Sequence, residues 1–269
     1  MKRIDSRENA GFKALRRLVE SSRERKKTGL SLLDGPHLVG VYRDHVGPPE
    51  QLVVSAAGLA NPEIRGILDR TPGTDIVVLG NALFRDISPV TNPAGIVGVV
   101  RTPAPAPVPE NLDACIMLED LQDPGNLGSI LRSAAAAGIK HVLLSHKSVH
   151  AWSPRVLRAG MGAHFLLQVY ERVDLIATVG AFAGNVIATR TDAGRSLFET
   201  NLTGAVAFLF GNEGAGISEA LRKKAHAEVA IPMPGNTESL NVAAAVAVCL
   251  FERVRQLTVS GKRLDVAAP

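Results

Sequence analysis

Three short segments of the chain place polar side chains beside glycine and proline, a combination that suits ligand binding at sharp turns. The first is LEDLQDPGNLGSILRSA at 118–134, and the second is FLFGNEGAGIS at 208–218. The third is IPMPGNTESLN at 231–241, which leads into a long run of small apolar residues. The side chains in these segments that could do chemistry are Asn126, Arg132, Glu213, Ser239 and Asn241.

In the first segment, an expected tight turn at residues 123–125 leads into a helix. Asn126 could cap that helix, and capping would account fully for an asparagine at this position. It would not account for Arg132, which follows six residues later beside apolar neighbours. We predict that Arg132 points along a cleft rather than into the core. The alternative is an arginine that is ion-paired or extends to the surface over apolar neighbours.

The second segment ends an expected strand in a loop with three glycines, which would let a ligand approach the main chain closely. These glycines, at 211, 214 and 216, follow the order G-x-x-G-x-G, whereas dinucleotide-binding proteins show G-x-G-x-x-G. The G-K-[ST] ending of phosphate-binding loops is also absent from the sequence. Both differences disfavour a nicotinamide-dependent oxidoreductase and a nucleoside triphosphate ligand. A glycine-rich turn without any ligand is the alternative.

The third segment ends an expected strand, so the main-chain groups of Ile231 and Met233 would lack a sheet partner and could bind a ligand. Ser239 and Asn241 are expected on the first turn of the last helix, where the helix dipole is positive. We expect residue 236 or 237 to cap this helix. Capping explains one polar residue here but not five in succession.

A proline-rich stretch, RTPAPAPVPE at 101–110, cannot continue a helix or a central strand and therefore divides the chain. We predict an N-terminal domain over residues 1–102, a linker over 103–110 and a C-terminal domain over 111–269. The first domain alternates helical and strand patterns, as small α/β domains do. The second opens with a βαβ pattern from 114 to 145, which predicts a parallel sheet with ligand-binding loops at the carboxyl ends of its strands.

The bulk properties are those of an ordinary globular protein, with 269 residues of which 46% are apolar and 21% charged. A net charge of +4 is compatible with a nucleic-acid partner but does not by itself indicate one. The sequence shows no signal-peptide core and no apolar run of the roughly 20 residues that a membrane span needs. We therefore expect a cytoplasmic protein without a membrane partner. Cys115 and Cys249 lie in apolar runs and are expected to be buried free thiols.

Positive charge is concentrated in the first helical pattern, AGFKALRRLVESSRERK at 10–26. Such a cluster either contacts nucleic acid or forms a solvated helix face, and charge alone does not decide between the two. The basic residues concerned are Arg16, Arg17, Arg23, Arg25, Lys26 and Lys27.

Together, the three segments resemble, in order and spacing, the signature motifs of SpoU-type RNA 2′-O-ribose methyltransferases, the TrmH-like family of the SPOUT superfamily. The resemblance is carried by DPGNLGSILRSA, LFGNEGAGIS and IPMPGNTESLNVAAAVAV, over about 140 residues. The N-terminal part is similar, more loosely, to the small ribosomal-protein-like substrate-binding domain of many members. Asp34 stands in GLSLLDGPHLVGVY where relatives more often have glutamate.

The resemblance implies a trefoil-knotted α/β domain that binds S-adenosylmethionine and transfers its methyl group to a ribose 2′-hydroxyl of RNA. It implies contacts with the methyl donor at Gly211, Ile231 and Leu240, largely through the main chain, and we add Met233 because it shares the strand end with Ile231. It also implies a homodimer. The chemistry needs no metal, and no third ligand accompanies the histidine pair at 146 and 150.

By resemblance, Arg132 assists the 2′-hydroxyl, and Asn126 holds the substrate or Arg132 in place. Because the pKa of the arginine side chain exceeds about 12, arginine keeps its proton at neutral pH and is a poor base. We therefore interpret Arg132 as a group that aligns the ribose or its phosphate. Glu213, Ser239 and Asn241 would complete a polar cradle, with a carboxylate beside Arg132 to orient its guanidinium.

Ribosomal RNA is favoured over transfer RNA as the substrate, because a separate N-terminal domain suits a large folded RNA. A transfer-RNA 2′-O-methyltransferase is one alternative. A non-catalytic RNA-binding protein on the same scaffold is another, and loss of Asn126, Arg132 or Asn241 would be its mark. All three residues are present.

Overall fold

The computed structural model describes residues 1–88, 90, 92–104 and 106–261. Pro105, in the linker predicted at 103–110, therefore lies outside the described residues. So do residues 262–269, at the end of the domain predicted at 111–269. The chain forms two compact units. The first comprises the residues up to 104 together with Trp152–Phe165, and the second comprises the other described residues, 106–151 and 166–261.

The first unit is built on a mixed five-stranded sheet in the order β1-β4-β3-β5-β2. Strand β5 runs antiparallel to β2 and β3, while β4 runs parallel to β1 and β3. Its strands are β1 Lys2–Ile4, β2 Leu30–Asp34, β3 Gln51–Ser55, β4 Asp75–Leu79 and β5 Ile96–Arg101. Its helices are α1 Ala10–Glu20, α2 Ser22–Thr28, α3 Pro36–His45, α4 Pro62–Asp69, α5 Asn81–Ile87 and α7 Pro154–Gly160.

The single helical pattern at 10–26 is two helices, with the break at Ser21. Helix α1 begins after its cap Asn9 and buries one face through Phe12, Leu15 and Leu18, which are three residues apart. Ser21 is extended and accepts a hydrogen bond from the amide of Glu24, so it caps α2. Local capping thus interrupts a periodicity that otherwise continues.

The second unit contains a six-stranded sheet in the order β11-β9-β10-β6-β7-β8, and every strand pair in it is parallel. The βαβ unit predicted at 114–145 is confirmed, since β6, α6 and β7 follow one another and the two strands pair. The strands are β6 Ala114–Leu118, β7 His141–Leu144, β8 Gln168–Tyr170, β9 Asn185–Thr189, β10 Val206–Phe210 and β11 Ala227–Val229. The helices are α6 Pro124–Ala136, α8 Leu175–Ala181, α9 Glu219–Arg222 and α10 Val242–Val259.

The parallel arrangement brings the first two chemical segments together. Strands β6 and β10 are neighbours, so the loops after Leu118 and Phe210 leave the sheet side by side at its carboxyl edge. Their main chains are tied, since the amide of Glu119 donates to the carbonyl of Phe210 at 2.9 Å. The loop of β9, the next strand along, lies beside them.

Two further expectations concern the interior and the membrane. Cys115 and Cys249 are buried and free, as predicted, and burial raises the pKa of each thiol to about 12. Among the described residues, no helix combines the length and apolar character that a membrane crossing requires.

Candidate functional site

A cavity of about 660 Å³ opens at the carboxyl edge of the second unit's sheet. It is lined by residues that follow strands β9, β10 and β11 and by residues at the start of α10. This volume is in the range of small-molecule and cofactor sites, roughly 300–1,000 Å³. Eight of the nine residues singled out from the sequence line it: Asn126, Gly211, Glu213, Ile231, Met233, Ser239, Leu240 and Asn241.

The glycine loop after β10 folds back on itself so tightly that Gly211 has no room for a side chain. A Cβ at this position would overlap the main chain of Gly216 and Ile217. Asn212 and Gly216 exchange two main-chain hydrogen bonds of 2.9 and 3.0 Å, and Gly216 adopts a φ of +69°. The Asn212 side chain also accepts from the amides of residues 214 and 215. The loop is therefore closed on itself between Gly211 and Gly216 at the wall of the cavity.

Glu213 joins the glycine loop to the segment that starts α6. Its carboxylate accepts hydrogen bonds from the amides of Gln122, at 3.2 Å, and Asp123, at 3.0 Å. It also accepts from Nδ2 of Asn126, at 3.2 Å. Burial alone would raise the pKa of Glu213, but these donors outweigh it and hold the pKa below its ordinary value. Glu213 is therefore an ionised acceptor at neutral pH.

Asn126 and Asn241 extend this connection to the third segment. Nδ2 of Asn241 donates to Oδ1 of Asn126 at 2.9 Å. Oδ1 of Asn241 accepts from the amide of Ala243 and so caps α10. A continuous hydrogen-bonded chain, Glu213–Asn126–Asn241, thus links the three segments of the sequence at the cavity.

Three expectations about caps are wrong. Asp123, not Asn126, caps α6, because its carboxylate accepts from the Asn126 amide at 2.7 Å. Asn241 itself caps α10, so it precedes the first turn, and residues 236 and 237 do not cap it. Ser239 lies two residues before this cap, exposed and on the cavity wall rather than on the helix. Asn126 and Asn241 both use side-chain atoms to connect segments of the chain, and Asn241 also caps α10. The sequence pattern does not distinguish these two uses of an asparagine.

Arg132 differs from the other eight residues. It is exposed on α6, on the same face as Ser129, and it does not line the cavity. Within the described part of the chain, its guanidinium has no hydrogen-bond or ion-pair partner. The carboxylate expected beside it, Glu213, is occupied with the start of α6 instead. Arg132 is thus a free cation at the surface, available to an anionic ligand.

Ile231, Met233 and Leu240 form the less polar side of the cavity. Strand β11 ends at Val229, and neither Ile231 nor Met233 makes a main-chain hydrogen bond with a described residue. Their amides and carbonyls are therefore available to a ligand, as expected from a strand end. Leu240 is 40% exposed, so it offers apolar surface to whatever fills the cavity.

A polar wall that follows β9 was not predicted from the sequence. Arg190 pairs with Asp192 at 2.6 Å and with Glu228 at 2.7 Å. Glu228 also accepts from Arg222 at 2.9 Å, and hydrogen bonds from Arg222 and then Arg190 lower the pKa of Glu228. The sequence does contain a pattern that indicates this wall. The polar stretch ATRTD continues directly from a buried strand, and the carboxyl end of such a strand lies at the ligand-binding edge of the sheet. Among the described residues, no group of three metal-ligating side chains could hold a metal ion.

Comparisons with known proteins agree with these motifs. The model of the SpoU rRNA Methylase family matches residues 113–251, a range that contains all three segments. An uncharacterised tRNA/rRNA methyltransferase of Synechocystis is 34% identical, over 94% of this chain and 93% of that protein. The 23S rRNA (guanosine(2553)-2′-O)-methyltransferase RlmP of Bacillus subtilis is 30% identical, over 93% of this chain and 98% of that protein.

The fold agrees as well. The crystal structure of the SpoU methyltransferase AviRb from Streptomyces viridochromogenes, in complex with the cofactor AdoMet, superimposes with a TM-score of 0.80. It covers 94% of this chain and 100% of the AviRb chain at 28% identity. Given the family match over just over half the chain, and the relatives that match nearly all of it, the chain belongs to the SpoU rRNA methylase family.

Proposed function

We propose that the chain transfers the methyl group of S-adenosylmethionine to a ribose 2′-hydroxyl of structured RNA. The observation that carries this proposal is the Glu213–Asn126–Asn241 chain, which joins the three family segments around one cavity. RlmP of Bacillus subtilis is named for 2′-O-methylation of 23S rRNA, which favours ribosomal RNA over transfer RNA as the substrate here. A transfer-RNA substrate is the alternative within the same chemistry.

The cavity residues fit S-adenosylmethionine. The glycine loop, which closes on itself at Gly211 and Gly216, lines the cavity and can offer main-chain groups to the donor. The free main-chain groups of Ile231 and Met233 can hydrogen-bond an adenine edge, while the Leu240 side chain can pack against the donor. When bound, the donor supplies a sulfonium methyl that is already activated for transfer. The protein's remaining task is to align the attacking hydroxyl and assist loss of its proton.

Arg132 is assigned to the RNA rather than to the donor, because it is exposed, unpaired and outside the cavity lining. Its guanidinium would bind the target ribose or its phosphate and stabilise negative charge that develops on the 2′-oxygen. Asn126, Glu213, Ser239 and Asn241 form the polar rim across which the hydroxyl would approach the donor. Of these, Glu213 acts through Asn126, which it holds at 3.2 Å.

We propose the larger organisation of the chain by analogy with the family. We assign RNA substrate binding to residues 1–102 as a ribosomal-protein-like domain, a linker to 103–110 and methyl transfer to 111–269 as a trefoil-knotted domain, except that Trp152–Phe165 belong to the first compact unit. A homodimer is proposed with α10 in its interface, supported by its exposed apolar side chains Ala244 and Phe251. We place the protein in the cytoplasm.

A non-catalytic RNA-binding role on the same scaffold is the second candidate. A protein that only binds RNA would not need the hydrogen bonds of the polar rim. In this structure, the hydrogen bonds from Asn126 to Glu213 and from Asn241 to Asn126 are both made. The intact rim therefore favours the enzyme.

Substitution of Arg132 tests the assignment. We expect Arg132→Ala to lower the rate of methyl transfer at saturating donor at least about 100-fold, because a transition-state contact is lost. The dissociation constant for S-adenosylmethionine should change less than about twofold. Lys140→Ala, which removes another exposed cation of the same unit, is the matched control and should transfer normally. Normal transfer by the Arg132 variant would refute its role.

A further inference from the structure

The first unit carries positive charge that the structure leaves without carboxylate partners. Of the six basic residues between 16 and 27, Arg16 pairs with Glu20 at 2.7 Å and Arg25 is buried. The other four are exposed and, within the described residues, make no side-chain hydrogen bond or ion pair. These four define the α1–α2 cluster: Arg17, Arg23, Lys26 and Lys27.

Helical spacing gathers the cluster on one surface. Arg23 is followed by Lys26 and Lys27 at intervals of three and four residues on α2, so the three share a helix face. Arg17 stands in the last turn of α1, directly before the break between the two helices. Among the described residues of these two helices, Glu24 is the one acidic side chain without a basic partner, so the four cations and Glu24 together carry a net charge of +3.

Buried Arg25 fixes the geometry of the cluster. Its guanidinium donates to the carbonyls of Leu18, at 2.7 Å, and Val19, at 3.0 Å. These carbonyls belong to the end of α1, where main-chain acceptors lack helical partners. Arg25 thereby anchors α2 to α1, and the four free cations are held by two connected helices. A ligand that binds them would not have to order the backbone first.

The chemistry of the surface selects its partner. Helix α2 has the sequence SRERKKT, which contains no apolar residue and so has no face that could enter a membrane. No aromatic residue lies between 13 and 28, so the surface offers no aromatic ring on which a base could stack. What remains is a set of exposed ammonium and guanidinium groups, which suits the phosphates of a nucleic-acid backbone.

We propose that the α1–α2 cluster binds the phosphate backbone of the RNA that the protein methylates, without reading its sequence. This proposal rests on the proposed function for the identity of the nucleic acid. The cluster supplies affinity and its salt dependence, and the chemical step does not depend on it. The logarithm of the RNA association constant falls linearly with the logarithm of the salt concentration. Each phosphate contact adds about 0.7–0.9 to the steepness of this fall, so four contacts add about 3.

The test uses the full-length protein and a structured ribosomal RNA fragment, with the variant Arg17→Ala/Arg23→Ala/Lys26→Ala/Lys27→Ala. Alanine favours helix, so both helices should persist, and circular dichroism checks this. A matched control removes four cations of the same unit that do have carboxylate partners. The control variant is Arg3→Ala/Arg7→Ala/Lys13→Ala/Arg16→Ala.

RNA dissociation constants are measured between 50 and 200 mM KCl, alongside binding of S-adenosylmethionine. The cluster variant should bind RNA at least about 10-fold more weakly at 100 mM, with a slope lower by about 3. Its donor affinity and its single-turnover rate at saturating RNA should equal those of the wild type. The control should lose much less affinity than the cluster variant.

Three results would overturn the proposal. The first is a salt slope of RNA binding that is unchanged in the cluster variant, and the second is an equal loss of RNA affinity in the control variant. The third is a cluster variant that keeps its RNA affinity but, unlike the wild type, no longer binds anionic phospholipid vesicles. Binding and methyl transfer are measured separately, so the two proposals can fail separately. A wild-type protein that binds RNA but never methylates it would overturn the proposed function, and the slopes would still decide the role of the cluster.

Discussion

At the scale of single residues, Glu213 explains how two distant segments meet, and Asn126 extends the connection to the third segment. The Glu213 carboxylate satisfies two amides that precede α6 and one side-chain amide, all within 3.2 Å. A neutral side chain of the same shape cannot do this, because a glutamine presents one acceptor and one donor group to three donors. The negative charge is therefore as necessary as the shape.

Glu213→Gln should weaken S-adenosylmethionine binding about 10-fold, since roughly 1.4 kcal/mol of charged hydrogen bonding is lost. Titration calorimetry measures this, with Glu219→Gln as a control at an exposed glutamate of the neighbouring helix α9. Equal affinity in the wild type and the Glu213 variant would show that the loop connection is unnecessary.

The pKa of Glu213 gives this residue a definite pH dependence. Because the pKa is lowered in the folded protein from its ordinary 4.5, its stabilising effect is complete above pH 4.5 and is lost as the pH falls through the lowered value. We therefore expect the stability difference between wild type and Glu213→Gln to stay constant from pH 8 to about pH 5 and to shrink below that.

At the scale of elements, most strands of the second unit could be predicted from the sequence. Apolar runs between turn residues predict the positions of β6, β7 and β10, because buried parallel strands leave a continuous apolar signal. Element ends were predicted less well. Periodicity continues through Ser21 and does not reveal the start of α10, since a cap depends on which side chain reaches a main-chain amide.

The loop after β6 depends on a left-handed residue that the sequence did not mark. Asp120 has a φ of +52°, and its carboxylate accepts from the Ser145 hydroxyl at 2.6 Å. The Asp120 carbonyl accepts from Nδ2 of Asn212 at 2.9 Å, which connects this loop to the glycine loop. The conformation and the hydrogen bonds therefore stabilise the site by joining the loops that follow β6, β7 and β10 at the carboxyl edge of the sheet.

Asp120→Ala should lower the free energy of unfolding by about 1–3 kcal/mol, because a side chain without a local acceptor is strained at positive φ and the Ser145 contact is lost. Asp120→Gly should lose less, since glycine adopts this φ without strain. Urea unfolding of both variants measures the difference. Equal stability of the alanine and glycine variants would contradict the role assigned to the backbone conformation.

At the scale of the whole molecule, the sequence did not predict that Trp152–Phe165 belongs to the first unit. Helix α7 packs on β2, and the Tyr42 and Phe165 rings contact each other at 5.2 Å between centroids. A pattern of residues reports local structure, whereas this packing joins positions more than 100 residues apart. The proline-rich stretch indicates that the chain divides into two parts, but it could not indicate that Trp152–Phe165 belong to the first unit.

One ion pair holds this segment in place. Arg158 donates to Oδ2 of Asp34 at 2.9 Å, and the Asp34 side chain is only 2% exposed. Burial raises the pKa of Asp34 above its ordinary value, opposed by the charge of Arg158 and by a hydrogen bond from Ser88. Without Arg158, the Asp34 carboxylate would be buried without a counterion.

Arg158→Ala should therefore lower the free energy of unfolding by about 2 kcal/mol at pH 7.5, somewhat less than for a fully buried pair because Arg158 is half exposed. The pKa of Asp34 should rise further in this variant. Its destabilisation should then be largest above that pKa and smaller at pH 5, where more of the carboxyl is protonated in the folded state.

Urea unfolding at both pH values tests this, with Arg155→Ala on the same helix as the control. Adding Asp34→Asn to Arg158→Ala should recover part of the loss, since no buried charge remains. A loss that is independent of pH and unaffected by the second substitution would contradict the explanation by charge.

If this molecule methylates ribose in RNA, the reaction leaves a 2′-O-methylnucleoside, which can be detected directly. The purified protein is incubated with methyl-labelled S-adenosylmethionine and, separately, with ribosomal and transfer RNA, and the RNA is digested to nucleosides for mass spectrometry. We predict label in a 2′-O-methylnucleoside from ribosomal RNA, formed at least about 100-fold more slowly when Arg132→Ala replaces the wild type. Label on a base, or no label in either RNA from a protein that binds the donor, would contradict the account.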